Sequence, residues 1–279
     1  MSRFLLKAIS AASMAGVLAS GPVAYAASAA GTAQAAAASH LGAAQIVERN
    51  VAARGGLQAW HAVNTITMSG QIDAGGKKNT RLPFTMTMKR PNKSRFEIRF
   101  NEQTAFQVYD GARGWKVRPF LGRDEVEPYT PAEAKSAAAS ADLEGALIDY
   151  ASKGSRVDAL GMESVEGHRA YVLKLTTKDN TSRRIWIDAS SFLELKIDGE
   201  PRKLDGRMHD VAIFYRDYKK ENGLVIPHTL ETVVSGVKPT HKLTIDHVAV
   251  NPPADDTLFA KPQLAMARVP NQQPPANSH

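Results

Sequence analysis

The side chains able to do chemistry in this 279-residue chain are scattered. Its eight histidines are His40, His61, His168, His209, His228, His241, His247 and His279. His241 and His247 share a strand parity but stand six residues apart, roughly 20 Å along an extended chain, too far to ligate one metal together. Asp142, Glu144 and Asp149 lie close in sequence. Carboxylates five apart on a helix diverge, so Glu144 and Asp149 read as solvated charges, not an acid and base pair. G-x-S-x-G, H-E-x-x-H, P-loop and dinucleotide-binding glycine patterns do not occur. No enzyme, no cofactor and no metal site is expected.

Cysteine is missing altogether, which removes disulfides, thiolate metal sites, cysteine nucleophiles and lipid attachment at a lipobox cysteine. Residues 1–26 read as an export signal peptide: Arg3 and Lys7 precede an uncharged stretch from Ala8 to Ser20, and Ala24-Tyr25-Ala26 offers a cleavage site. That stretch is too short to span a bilayer. Loss of Arg3 and Lys7 lowers the formal charge from +7 to +5. A mild positive excess suits an anionic membrane surface. Nucleic acid is not expected, because bases alternate with acids as in Arg95-Glu97-Arg99. Residues 27–40 read as a flexible leader and 263–279 as a disordered tail, leaving one β-rich domain over 41–262.

The elements that would position a site are strands apolar on one face. Thr65 to Ile72, Arg81 to Lys89 and Ser94 to Phe100 alternate with a period of two, the mark of a half-buried sheet. Strands are expected at about 65–73, 80–90, 94–101, 103–109, 114–118, 155–165, 168–177, 181–189, 192–198, 209–218, 223–235 and 240–250. Short joins make them an antiparallel meander. Apolar parity slips from Ile245 to Val248 and Val250, which predicts a bulge or an edge near Asp246-His247. Ala43, Ile46, Val47 and Val51 predict an opening helix ended by Gly55-Gly56. Thr130-Pro131-Ala132-Glu133 starts a second, expected to reach about Ala151 with Leu143, Ala146, Leu147 and Tyr150 as its stripe.

So large an antiparallel sheet curls. The helices carry too few large apolar groups to fill its concave side, and Ala-rich helix fills space poorly. Either opposing walls meet, or an apolar cavity remains beneath a loosely held lid. For the cavity reading, strand parity and the predicted helices nominate Met68, Phe84, Met86, Met88, Phe96, Ile98, Phe106, Val108, Trp115, Leu147, Leu173, Leu175, Ile185, Ile187, Leu193, Leu195, Ile213 and Tyr215 as lining. Trp115 either caps the mouth or anchors its hairpin. Trp186 has outward parity.

Several segments resemble the outer-membrane lipoprotein-sorting, LolA-like superfamily. They are the helix ending in Gly55-Gly56, Asp110-Gly111 with Trp115, Leu147-Ile148-Asp149-Tyr150, Gly161 to Gly167 with Ala170 to Leu175, Ile185-Trp186-Ile187-Asp188, Gly223 to Pro227, and Phe259 with Pro262. The resemblance implies a curved antiparallel half-barrel of about eleven strands with helices on its concave face. It also implies a monomeric periplasmic carrier of lipoprotein or lipid acyl chains, served by an inner-membrane donor and an outer-membrane acceptor. An envelope-stress sensor built on the same fold is the alternative. Asp179-Asn180 stands where relatives often turn on Asp-Gly, and the chain is longer than the compact lipoprotein chaperone. A different cargo is therefore compatible with the likeness.

Overall fold

The computed structural model describes residues 41–73, 80–238 and 240–263. The expected signal peptide, the leader, the turn at Ala74-Gly75-Gly76 and the tail beyond residue 263 lie outside the described residues.

Helix α1 (Ala43–Ala53) begins where the Gly42 N–H donates to Gln45 Oε1, and turns Ile46, Val47 and Asn50 inward. Its end is set by contact: a Cβ on Gly55, at φ +112°, would lie 2.4 Å from the Gly223 carbonyl oxygen. Helix α2 (Leu57–His61) then buries Trp60.

Strands β1 (Thr65–Asp73), β2 (Arg81–Lys89), β3 (Lys93–Phe100), β4 (Gln103–Tyr109), β5 (Gly114–Arg118) and β6 (Arg123–Pro128) form one antiparallel meander. Helix α3 (Pro131–Ser140) follows. The second meander comprises β7 (Arg156–Val165), β8 (His168–Thr176), β9 (Ser182–Asp188), β10 (Glu194–Asp198), β13 (Val211–Glu221), β14 (Leu224–Val234) and β15 (His241–Val250). A separate hairpin of β11 (Arg202–Leu204) and β12 (Arg207–His209) interrupts it.

β15 pairs with both β1 and β14, so the two meanders become one sheet of 13 strands. The sheet stays open, with β6 and β7 as its edges. The expected parity slip is a bulge at this seam: Ser69 pairs with His247 and Gly70 with Ile245, leaving Asp246 extra. β15 is central, not an edge. The chain leaves β6 at one edge and enters β7 at the other, so residues 129–155 must cross the open side of the half-barrel.

The central helix, β6 and the β11–β12 hairpin differ from expectation. The central helix stops at Ser140, and residues 141–154 are irregular and turn-rich. Gly145 and Asp149 take positive φ, while Arg54 and Lys153 donate to the carbonyls of Glu144 and Gly145. β6 was not anticipated. As an edge strand carrying Arg123, Asp124, Glu125 and Glu127 it has no apolar face to alternate.

Candidate functional site

The concave face is filled unevenly. At the β7 side, Ile46 and Val47 of α1 and Leu147 pack on Leu173, Leu175, Ile185 and Ile187. In the middle, Trp60 and Ile148 cover Ile66, Met88, Leu224 and Ile226. These two regions have helix or loop above them. A third cluster, Leu82, Phe84, Ile98 and Ile245 with Met68, Met86, Phe96, Leu230 and Leu243 around it, is built from strand side chains, with Phe120 from the β5–β6 turn.

Beside this third cluster lies a cavity of about 280 Å³. Its floor is apolar: Ile72, Met86, Phe96, Ile213, Leu230 and Leu243. Its roof is α3, which presents Glu133, Ser136, Ala137 and Ser140, positions three and four apart and so on one helical face. Not one residue of α3 is buried. A helix without a buried apolar stripe has little packing energy to hold it down.

Polar contacts hold it instead. The Thr130 hydroxyl caps the helix by accepting from the Glu133 N–H, and Glu133 accepts in turn from the Thr130 N–H. Lys116 Nζ on β5 lies 2.6 Å from Glu133 Oε2, both side chains being largely buried. Burial alone would raise the Glu133 carboxyl. The Lys116 ammonium and the Thr130 N–H outweigh that and keep it below its ordinary range. Two residues on, Lys135 Nζ reaches Asp179 Oδ2 in the β8–β9 turn at 2.6 Å. Hydrogen bonds from Lys135 and then Thr177 hold the Asp179 carboxyl well below the carboxylate range. One turn of α3 is thus tied to both sides of the open sheet. Its entry is fixed by Tyr129, whose N–H donates to the Gly114 carbonyl and whose ring lies where a Cβ on Gly114 would be, 1.8 Å from Cδ2. Burial, then the Glu133 carboxylate, pushes the Tyr129 hydroxyl up.

Register assigns each nominated residue a place. Met86, Phe96 and Ile213 line the cavity. Leu147, Ile185 and Tyr215 border a smaller void of about 120 Å³ under Arg54. Met68, Phe84 and Ile98 sit in the strand cluster, Met88 under Trp60, and Leu173, Leu175 and Ile187 under α1. Five do not point inward. Phe106 pairs with Glu97, and Val108 with Arg95 and Trp115, on the side opposite Met86 and Phe96. There the Arg95 guanidinium lies over the Phe106 ring and donates to the Leu258 carbonyl. Leu195 packs near Trp186 and Phe214 on the outer face, and Leu193 borders an outer depression with Asp188 and Ser190. Trp115 is an anchor within its hairpin. Trp186 is buried on the outer face, donating to Glu163 beneath the cations of Arg184 and Lys196.

Strand parity missed the cavity's polar members, Gln107, Lys116, Tyr129, Glu133, Ser136, Ser140, Thr232 and His241. The capping sequence at Thr130 was the available clue to the roof.

Elsewhere, ligand atoms of His61, Glu144 and Asp149 lie within 4.8 Å of one another. Arg90 and Lys153 already hold the Glu144 carboxylate. Burial opposes its ionisation, those two cations lower its pKa, and their positive charge beside the carboxylate disfavours a metal ion there. Among the described residues, no helix is long and apolar enough to cross a membrane.

No family model matches the chain, and no curated protein matches its sequence. Solved structures do match. One is described as an outer membrane lipoprotein-sorting protein domain from Vibrio parahaemolyticus: 13% identity, TM-score 0.50, covering 77% of this chain and 95% of that one. A LolA superfamily protein from Nitrosomonas europaea matches at 15% identity and TM-score 0.51, covering 79% and 98%. A DUF1329 family protein from Desulfovibrio piger matches at 11% and 0.51, covering 78% and 97%. At such identities the likeness is one of fold, and the fold of this chain is the LolA-like open half-barrel.

Proposed function

We propose that the protein is a periplasmic carrier that shelters acyl chains of a lipid or lipoprotein between α3 and the concave sheet. The observation that carries this reading is the cavity itself: an apolar floor under a helix held by ion pairs and not by packing. Each methylene withdrawn from water is worth about 0.8 kcal/mol, so a long chain gains on the order of 10 kcal/mol. A roof held only by polar contacts can yield to such a ligand and close again after release. Met86, Phe96 and Ile213 are the sequence-nominated residues proposed to touch the chain.

On this reading residues 1–26 direct export, and the mature chain works as a monomer between an inner-membrane donor and an outer-membrane acceptor. It catalyses no reaction. Native mass spectrometry of the protein purified from its own envelope tests the proposal. A lipid adduct is expected that dissociates on activation; repeated preparations without lipid, in protein shown to be folded, would sink it.

A further inference from the structure

One row of paired residues crosses the concave face from apolar to charged. Met68 stands opposite Met86, Met86 opposite Phe96, Phe96 opposite Gln107, and Gln107 opposite Lys116. Residues directly opposite one another share a face, so Lys116 points into the same cavity that Met86 and Phe96 floor. Neighbouring strands lie about 4.8 Å apart, which puts Lys116 roughly 10 Å from Phe96 across the sheet, within reach of a ligand whose chain rests on the floor.

Lys116 and Glu133 depend on each other unequally. The buried Lys116 ammonium has Glu133 as its only hydrogen-bond partner among the described residues. Glu133 also accepts from the N–H and the hydroxyl of Thr130, at the cap of its own helix. Lifting α3 therefore leaves Glu133 capped and strands the ammonium, a costly state until another anion arrives. The next residue of the row does not supply one, because Glu127 is already held by Arg118 and Arg123. Beside Lys116, the Gln107 side-chain amide lines the cavity and has no partner among the described residues.

Resting on the carrier reading above, we infer that Lys116 is the head-group site for an anionic amphiphile and that Glu133 stands in for that head while the lid is shut. The ligand's carboxylate or phosphate takes the ammonium as α3 lifts, with Gln107 as a second contact, and its chain runs back over Phe96 and Met86. One ion pair replaces another, so no buried charge is left alone. A neutral head cannot make this exchange.

Titration calorimetry of the purified protein with dodecanoate, dodecyl phosphate, dodecanol and a triacylated lipopeptide tests it. The parent should bind the two anions at least tenfold tighter than dodecanol, and the tighter of the two identifies a carboxylate or a phosphate head. Glu133→Gln and Lys116→Met both cut the tie to α3, so a lid role alone would shift the ratio of anion to dodecanol affinity alike in both. Instead, Glu133→Gln should raise that ratio about tenfold, because the competitor is gone, and Lys116→Met should bring it to about one. The double variant, Lys116→Met with Glu133→Gln, leaves no stranded charge and should also give a ratio of about one, which keeps the test open if Lys116→Met does not fold. A ratio that moves alike in the two single variants, or stays at the parent value in the double variant, would refute the head site and leave the carrier reading standing. Binding of the lipopeptide alone would do the same. Binding of none of the four would overturn both.

Discussion

Glu133 and Lys135 stand two residues apart on α3 and pair in opposite directions, Glu133 with Lys116 on β5 and Lys135 with Asp179 in the β8–β9 turn. Because β5 belongs to the first meander and the β8–β9 turn to the second, one helical turn spans the gap that the sheet leaves open. The lid is a clasp between the two halves.

Its two ties differ in strength. The Lys116–Glu133 pair is largely buried, and removing one partner of such a pair costs about 3 kcal/mol because the other charge is left stranded. Lys135–Asp179 is exposed, worth about 0.5 kcal/mol. Lys116→Met should therefore raise amide exchange across residues 131–140 far more than Lys135→Met. Equal exchange in the two variants would show that the buried pair does not hold the roof.

Acid should loosen the clasp. The Glu133 carboxyl is depressed in the folded state relative to its ordinary value of 4.5, so its contribution is fully present above that value and is lost as pH falls through the lower folded one. Asp179 is depressed in the same direction. Opening of α3, read as amide exchange relative to the intrinsic rate at each pH, is thus predicted to stay flat from pH 7 to about 5 and to rise below about 4, earlier than unfolding followed by far-ultraviolet circular dichroism. Glu133→Gln should flatten most of that rise.

Gly114→Ala places a methyl group inside the Tyr129 ring position. Displacing the ring should cost about 2 kcal/mol and shift the start of α3. Gly114→Ala combined with Tyr129→Ala should recover part of the loss in Tm, since the clash disappears with the ring.

The seam between meanders depends on Gly70, where a Cβ would lie 2.0 Å from the Thr244 carbonyl oxygen. Backbone cannot step aside as a flexible side chain can. Gly70→Ala should cost about 3 kcal/mol in chemical denaturation, and an unaffected midpoint would mean that the bulge opposite Asp246 is not fixed by this contact.

Period-two alternation revealed most strands and which side chains share a face, but not which face is concave. Phe106, Val108 and Trp115 alternate as regularly as Phe84 and Met86, yet register turns them outward, where Leu258 meets Arg95. Only the pairing of β3 with β4 shows this. Leu143, Ala146, Leu147 and Tyr150 imitate a helical stripe, whereas successive Leu147 and Ile148 are both buried, each in a different cluster. An irregular segment pinned by Arg54 and Lys153 can do that; a helix lying on one face cannot. The polar roof was legible only at its cap, because the side chains of Ser136 and Ser140 gain meaning from the cavity beneath them.

The most direct test of the account is a structure of the protein saturated with dodecanoate. The chain is predicted to lie between α3 and the floor of Met86, Phe96, Leu230 and Leu243. A structure with dodecanoate bound elsewhere, or with these side chains collapsed onto one another in a closed core, would contradict it.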